Sequence, residues 1–222
     1  IALVAADWAD GAWRVEARTP LGELRFRLGI AGRHNVINAL AAIACALASG
    51  VSLDRIAEGL SAFEPVKGRS RAIALRLAGG RTITLVDDTY NANPDSMLAA
   101  IDVLAALPGP RLLVIGDMGE VGDQGPQFHA EVGQRARERG IDAVYALGRE
   151  SAHSIAAFQD AAAGRHFDDI DSLHAAVLAQ LPLAGSVLVK GSRFMQMERV
   201  VQAAAGWAES RQQQDKEAGH AA

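Results

Sequence analysis

From residue 82 onward, short apolar runs alternate with longer segments in which apolar residues recur every three or four positions. The short runs are typical of buried strands, and the longer segments are typical of amphipathic helices. Strands that alternate with helices along a chain form a mainly parallel sheet with helices on both faces. We therefore predict a doubly wound α/β domain whose binding crevice lies at the carboxyl ends of its strands. The predicted strands cover residues 82–86, 112–115, 143–147 and 187–189, and the predicted helices begin near residues 94, 126, 150, 172 and 195.

The first part of the chain has a different pattern. Residues 1–30 alternate apolar and polar side chains, and Trp8 and Trp13 flank an Asp-Gly turn, which predicts antiparallel strands. A helix over residues 35–49 and a second, short helix follow. Residues 64–69 interrupt the helical periodicity, so we place a domain boundary at the end of this stretch. The first domain is then residues 1–69.

The second predicted domain covers residues 70–208. It opens with a hairpin in which residues 73–77 pair with the first strand of the parallel sheet across a Gly79–Gly80 turn. The last stretch, residues 209–222, is rich in Gln and in small or charged residues, and we predict that it is disordered.

Composition excludes several classes of partner. The chain has 22 Lys and Arg against 26 Asp and Glu, for a formal net charge of −4, so it has no basic face for a nucleic acid. No apolar stretch has the length of a membrane span and no secretory signal opens the chain, so we expect a cytoplasmic protein without a membrane partner. Cys45, in an alanine-rich run, is expected in the core. Ile1 opens a run that looks like a strand already begun, and we expect a piece of a longer protein.

Two asparagines mark the start of the first predicted helix. Asn35 and Asn38 stand three residues apart, so both amides can point in the same direction. A carboxamide offers a donor and an acceptor together, which matches the amino group and adjacent ring nitrogen of adenine. The simpler alternative is that Asn35 caps the helix while Asn38 faces solvent, and the pattern alone favours it.

A pair of cations lies at the predicted domain boundary, in the stretch Lys67–Gly68–Arg69. A guanidinium at this position can bridge to a phosphate that the other domain brings. Such a charge-assisted hydrogen bond contributes about 1.5–3 kcal/mol. The simpler alternative, a solvated linker, is favoured when these residues are considered alone.

A polar stretch, residues 87–94, follows an apolar strand and runs directly into a helix. Asn93 is placed to cap that helix and Pro94 to be its first residue. A carboxylate at this position can accept hydrogen bonds from ribose hydroxyls or hold a water on Mg²⁺. An Asx turn with a helix cap accounts for Asn93 but not for the adjacent aspartates and Tyr90, so the pattern favours a functional site.

Two later strands also end in polar residues. Residues 116–123 lack the G-x-G-x-x-G spacing and carry three acidic side chains that would repel a pyrophosphate, so we interpret them as a loop at the crevice. His129, in the helix that follows, is expected to have an ordinary structural role. In residues 190–193, a hydroxyl and two cations converge at a helix N-terminus, where they can hold a small carboxylate. A plain Ser192 cap with exposed charges explains this stretch equally well.

Taken in this order around this fold, these stretches resemble the muramyl ligase family. The most similar strings are residues 87–97, 116–122 and 190–198, and the resemblance extends over nearly the whole chain. It implies that the first domain is the end of a P-loop-type ATP-binding central domain. It implies further that the second domain is the Rossmann-like C-terminal domain, which closes over the nucleotide.

The resemblance also implies roles for individual residues. The two asparagines of the first helix would contact adenine, the boundary arginine would reach the terminal phosphates, and an aspartate would bind the ribose. The expected catalytic residues are Arg69, Asp88 and Lys190; the expected ATP-binding residues are Asn35, Asn38, Arg69 and Asp88; the expected substrate-binding residues are Asn91, Asn93, Lys190, Ser192 and Arg193; and no metal ligand is expected.

The implied activity is that of an ATP- and Mg²⁺-dependent ligase of peptidoglycan precursor synthesis, acting as a monomer. It would phosphorylate the terminal carboxylate of UDP-MurNAc-tripeptide and join the acyl phosphate to D-alanyl-D-alanine. The sequence contains no G-x-x-x-x-G-K-[ST] loop, so we expect this piece alone to be inactive. The alternatives are a muramyl ligase that adds a single amino acid and a non-catalytic nucleotide-binding α/β domain.

Overall fold

The structure is a computed structural model that describes residues 1–77 and 80–220. Its first part is a three-stranded antiparallel sheet in the order β1-β2-β3, with two helices packed on one face. These elements are β1 (Ala2–Ala9), β2 (Ala12–Thr19), β3 (Gly22–Leu28), α1 (Arg33–Ala48) and α2 (Leu53–Ser61).

The small sheet forms because its strands alternate buried and exposed side chains, which gives the sheet one apolar face. Trp8 and Trp13 are direct partners across the β1–β2 hairpin, and their rings meet edge to face with centroids 5.2 Å apart. Phe26 of β3 and Ile43 of α1 lie in the core that this face shares with the helices. The predicted antiparallel strands at the start of the chain are confirmed.

The second part is a six-stranded sheet in the order β4-β5-β9-β6-β7-β8. Strand β4 pairs antiparallel with β5, and all other neighbours are parallel. The strands are β4 (Arg71–Arg76), β5 (Thr82–Asp88), β6 (Arg111–Gly116), β7 (Ala143–Leu147), β8 (Gly164–Phe167) and β9 (Ser186–Lys190), and the helices are α3 (Pro94–Ala105), α4 (Gly125–Glu138), α5 (Ala152–Phe158), α6 (Ile170–Gln180) and α7 (Glu198–His220).

Helices cover both faces of this sheet. Successive strand residues point to opposite faces, so Val86 of β5 packs with Ile101 of α3 while Leu85 packs in the core that contains α6 and α7. Helices α3, α4 and α5 lie on the first face. This is the predicted mainly parallel, doubly wound α/β architecture.

Several local predictions differ from the structure. The edge strand β8 was not predicted, because residues 164–167 include no apolar run and two of them are exposed. Helix α5 begins at Ala152, two residues after its predicted start, and ends where Gln159 adopts a left-handed conformation, with φ of 58°. Cys45 is exposed on α1 rather than in the core. Gly79 of the predicted turn lies outside the described residues.

The polar stretch at the end of the chain belongs to the last helix. Helix α7 continues as far as His220, while residues 221–222 lie outside the described part. Trp207 packs against the core, and the Gln212 side chain donates a hydrogen bond of 2.8 Å to the carbonyl of Arg76. The Gln212 contact attaches the beginning of the polar stretch to β4. Within the described ranges, no helix is long and apolar enough to cross a membrane.

The two sheets meet where the predicted domain boundary lies. Ile30 and Arg71 form an isolated antiparallel bridge, and the Ala31 amide donates to the Ser70 carbonyl at 3.0 Å. Trp8 packs against the cores of both parts. The carboxyl ends of β5 and β9 and the first turn of α1 line a common cleft.

Candidate active site

An ion pair forms at the carboxyl ends of two neighbouring strands. Asp88 and Lys190 are the last residues of β5 and β9 and are partners in the parallel register. The Lys190 Nζ atom donates to Asp88 Oδ2 at 2.7 Å and to the Asn91 carbonyl at 2.8 Å. Only 4% of the Lys190 side chain and 15% of the Asp88 side chain are exposed. The pair places fixed, opposite charges at the base of the crevice.

The boundary loop is attached to the end of β5. Asp88 Oδ1 accepts hydrogen bonds from the Ser70 amide at 2.9 Å and from its hydroxyl at 3.2 Å. The neighbouring carboxylate, Asp87, is buried and accepts a hydrogen bond from the Gly68 amide at 3.0 Å. Residues 68–70 are therefore held by both aspartates that end the strand.

This attachment brings Arg69 to the edge of the crevice. Its guanidinium carbon lies 4.1 Å from the centre of the Tyr90 ring, within the range of a cation–π contact. In the described part of the chain, Arg69 makes no ion pair with a carboxylate. The N–H groups of this guanidinium are therefore available to an anion.

A cleft of about 450 Å³ lies between α1, the boundary loop and the ends of β5 and β9. Its walls are both polar and apolar, which suits a ligand with a charged and an apolar part. Of the residues predicted from the sequence, six line this cleft: Asn35, Arg69, Asp88, Asn91, Asn93 and Lys190.

The simpler alternative holds for Asn38, which is exposed to solvent, but not for Asn35, which does not cap α1. The N-cap of α1 is Gly32, and no side chain caps this helix. The Asn35 amide nitrogen donates to the Ala31 carbonyl at 2.7 Å, and the Asn38 amide nitrogen donates to Asn35 Oδ1 at 3.2 Å. Both amides also line an adjoining, mainly apolar pocket of about 200 Å³, beside Phe63. Asn38 thus lies next to the cleft rather than in it.

Asn93 has the predicted capping role and also lines the cleft. Its side-chain oxygen accepts a hydrogen bond from the Ser96 amide at 2.8 Å, and the Ser96 hydroxyl in turn accepts one from the Asn93 amide at 3.0 Å. This reciprocal pair is a capping box, and Pro94 is the first residue of α3. The cap directs the polar loop between β5 and α3 along the cleft.

Ser192 and Arg193 lie outside the cleft lining. The Ser192 hydroxyl is buried, accepts a hydrogen bond from the Gly119 amide at 2.7 Å and donates one to the Ala92 carbonyl at 3.2 Å. The exposed Arg193 pairs with Glu198 at 3.1 Å. In this conformation, Ser192 joins the loops that follow β5, β6 and β9.

Hydrogen bonds made by the Asp117 and His129 side chains hold the loop after β6. Asp117 Oδ1 accepts a hydrogen bond from the Ser151 amide at 2.8 Å. His129 is fully buried; its Nε2 accepts from the Met118 amide at 3.0 Å, so Nδ1 carries the proton and donates to the Gly125 carbonyl at 2.7 Å. Both ring nitrogens of His129 are thus paired within the fold, as expected for a histidine with a structural role.

Some residues of the cleft were absent from the predicted set. His34, Ser70, Tyr90 and Ser96 all line it. His34 and Ser70 directly adjoin predicted residues, and Tyr90 lies inside the polar stretch that follows β5, so their sequence positions were a usable signal. The contact between the boundary loop and β5 joins residues about twenty positions apart and has no local pattern.

The family comparison agrees with this geometry. The family model described as "Mur ligase, glutamate ligase domain" matches residues 68–193, which is more than half of the chain. The chain belongs to the Mur ligase family. The match begins at the boundary loop and ends just after Lys190, so it contains most of the residues that meet in the cleft of this Mur ligase chain.

Comparison with individual proteins shows which Mur ligases this chain is similar to. The chain is 42% identical over 190 residues to the UDP-N-acetylmuramoyl-tripeptide--D-alanyl-D-alanine ligase of Escherichia coli K12. The matched residues make up 84% of this chain and 40% of that protein. A crystal structure of MurF from Acinetobacter baumannii matches with a TM-score of 0.73 and 34% identity, over 92% of this chain and 44% of that one. MurF from Thermotoga maritima in complex with ADP has the same fold, with a TM-score of 0.73 and 24% identity over 94% and 47% of the two chains. This Mur ligase chain therefore spans less than half the length of the relatives it matches.

Proposed function

We propose that this chain works as part of an ATP-dependent ligase that joins D-alanyl-D-alanine to UDP-MurNAc-tripeptide in peptidoglycan precursor synthesis. The observation that carries the proposal is the convergence of Asn35, Arg69, Asp88 and Lys190 on one cleft, in a chain 42% identical to a ligase of that name. Within this ligase, residues 1–69 would be the end of the central ATP-binding domain and residues 70–208 the C-terminal ligase domain.

The cleft suits ATP as a substrate. Asn35 and Asn38 lie beside an apolar pocket that can take the adenine ring, and their amides would pair with its edge. Asp88 already accepts hydrogen bonds at both oxygens, but a carboxylate has about four acceptor positions, so a ribose hydroxyl can still donate to it. Arg69 would then face the terminal phosphates. In this arrangement the nucleotide bridges the small sheet and the large one.

The proposed reaction has two steps. A carboxylate oxygen of the tripeptide attacks the γ-phosphorus of ATP, and the bond from that phosphorus to the β-phosphate oxygen breaks, which gives an acyl phosphate and ADP. The amine of D-alanyl-D-alanine then attacks the acyl carbon, inorganic phosphate leaves and the amine loses a proton. The chain would contribute positioning and charge neutralisation, with Arg69 as the cation near the transferred phosphoryl group and Lys190 as the cation that holds Asp88 in place.

The dipeptide would bind on the side of the cleft formed by the loops after β5 and β9. Asn91 and Asn93 line that side, and Ser192 joins it to the loop after β6. Arg193 is exposed and would meet the dipeptide carboxylate if it exchanged its partner Glu198. Such an exchange would have a cost, because the Glu198 side chain is only 29% exposed and would lose its cation.

Mg²⁺ belongs to the proposal through ATP, whose phosphates bind the ion. In residues 1–77 and 80–220, no group of three or more His, Cys, Asp or Glu side chains could hold a metal ion. These residues do not fit a magnesium site of their own, and no step is assigned to the ion. We further propose that the ligase is a cytoplasmic monomer that needs a P-loop from another part of the protein, since this sequence contains none.

The test is phosphate release by the full-length protein that contains this chain, with ATP, Mg²⁺, UDP-MurNAc-tripeptide and D-alanyl-D-alanine. We expect release that needs both peptide substrates, and a loss of at least about tenfold in kcat/KM for Arg69→Ala. Arg211→Ala is the matched control, because Arg211 also stacks on an aromatic ring but does so on α7, outside the lining of the cleft.

Other outcomes would change the proposal in defined ways. Release with a single amino acid, but not with the dipeptide, would keep the ligase chemistry and replace the acceptor. ATP binding without phosphate release for any acceptor would favour a non-catalytic nucleotide-binding domain.

A further inference from the structure

Tyr90 and Arg69 both line the cleft, and their side chains are in contact there. The Arg69 guanidinium carbon lies 4.1 Å from the ring centre, and 47% of Tyr90 is exposed. We infer that Tyr90 is a positioning residue, whose ring holds the Arg69 guanidinium in the orientation that receives the terminal phosphates of ATP. The inference rests on the proposed function, because it assigns a partner to the phosphate-binding arginine.

The backbone fixes the distance between these two residues. The Tyr90 amide donates to the Gly68 carbonyl at 3.0 Å. A Cβ atom at position 68 would lie 2.7 Å from the Tyr90 nitrogen, and the φ angle of Gly68 is +77°. Only glycine allows the boundary loop to approach the Tyr90 loop so closely in this conformation. These main-chain contacts place the Arg69 backbone beside the Tyr90 loop, so the arginine side chain can reach the ring.

Stacking on the ring leaves the arginine able to bind phosphate. A guanidinium is planar and directs its five N–H donors outward in that plane, so an aromatic ring on one face does not occupy them. An arginine free in solvent samples many rotamers, and ordering it opposes binding by lost side-chain entropy. The Tyr90 ring reduces the number of those rotamers before ATP arrives. The phenol hydroxyl is not needed for this role, whereas the ring is.

The experiment measures ATP affinity by calorimetry for the full-length protein and for four separate variants of it. These are Tyr90→Leu, Tyr90→Phe, Arg69→Ala and the double variant Tyr90→Leu/Arg69→Ala. We expect Tyr90→Leu to weaken ATP binding about two- to fivefold and Tyr90→Phe to retain the wild-type affinity. In the Arg69→Ala background, Tyr90→Leu should cause no further loss, because the ring acts through the arginine.

The possible results separate this inference from the proposed function. A Tyr90→Leu loss that persists unchanged without Arg69, or that Tyr90→Phe shows as well, would overturn the positioning role. Unchanged ATP affinity in Tyr90→Leu would do the same, while leaving the ligase proposal in place. If the unmodified protein bound no ATP, both the ligase proposal and this inference would fail together.

Discussion

Arg135 of α4 holds Asp102 of α3 through two parallel hydrogen bonds, of 3.1 Å from Nε and 2.8 Å from its terminal nitrogen. Arg139, one turn later, reaches the same carboxylate at 2.7 Å. Burial alone raises the pKa of the Asp102 carboxyl, but hydrogen bonds from the two guanidinium groups outweigh it, and the pKa lies below its usual value. The cluster links α3, which begins at the cleft, to its neighbouring helix.

This cluster predicts an acid-dependent loss of stability. The folded-state pKa is lower than the unfolded value of about 3.9, so the ionised carboxylate stabilises the fold above that pH and loses its effect as the pH falls through the folded-state pKa. Asp102→Asn should therefore lower the urea midpoint at pH 7 and have a smaller effect near pH 3. The loss at pH 7 should stay below about 1 kcal/mol, because the pair is partly exposed.

The matched control is Glu131→Gln on α4, whose hydrogen-bond partner is the neutral Gln127. It removes a negative charge from the helix that carries Arg135, without breaking an ion pair. An Asp102→Asn effect of equal size at both pH values would contradict the electrostatic explanation.

Because the ion pair at the base of the cleft is buried, substitutions of its two residues should have non-additive effects on the free energy of unfolding. Asp88→Ala leaves the Lys190 ammonium, only 4% exposed, without its charged partner, and should lower the free energy of unfolding by about 3 kcal/mol. Lys190→Met should cost less, because Asp88 is more exposed and keeps its two hydrogen bonds from Ser70. The double variant should be more stable than Asp88→Ala alone. Denaturant unfolding measures all three, and simple additivity would show that the two charges do not interact.

The Ser192 hydroxyl predicts a structural effect that can be separated from substrate binding. Ser192→Ala leaves the Gly119 amide and the Ala92 carbonyl without this partner and should cost about 1–3 kcal/mol. Ser49→Ala is the control, since that hydroxyl donates to the Cys45 carbonyl at an exposed helix end, and it should change stability by less than about 0.5 kcal/mol. Urea unfolding measures the stability of both variants. Equal losses of stability would show that the Ser192 hydroxyl does not stabilise the contact between the loops.

Replacement by alanine should have opposite effects on stability at two helical glycines. A Cβ atom on Gly133 of α4 would lie 1.9 Å from the Ser154 carbonyl oxygen of α5, so Gly133→Ala should cost about 3 kcal/mol. Nothing lies within 4 Å of the corresponding position at Gly206 on α7, and Gly206→Ala should stabilise the helix by about 0.5–1 kcal/mol. Thermal unfolding followed by circular dichroism measures both. A wild-type midpoint for Gly133→Ala would mean that α4 and α5 can separate freely.

The features that could be predicted from the sequence depend on residues that are close together in the chain. The Asn93 cap and the Pro94 start of α3 depend on neighbouring residues only, and the structure has them as expected. The strand at 143–147 was found from its continuous apolar run, because both faces of a parallel sheet are buried. Interactions across the fold had no such signal: the Lys190–Asp88 pair joins residues 102 positions apart.

The candidate site shows the same division. The strand ends and their polar residues were identifiable, but the direction of each side chain depends on which strands are neighbours. Ser192 is an example: because β9 lies between β5 and β6, its hydroxyl reaches the loops on either side. Cys45 was assigned to the core from its alanine-rich surroundings, but the same periodicity gives α1 a solvent-facing side on which this thiol lies.

The position of β9 has a consequence for how the domain is made. It is the last strand in the chain but lies inside the sheet, between β5 and β6. During synthesis, the ribosome would therefore release β5 and β6 long before the strand that joins them. Until β9 inserts, each presents an unpaired edge to any other nascent chain nearby. A product truncated before Ser186 would keep both edges permanently, so premature termination should yield aggregates rather than a smaller folded ligase domain.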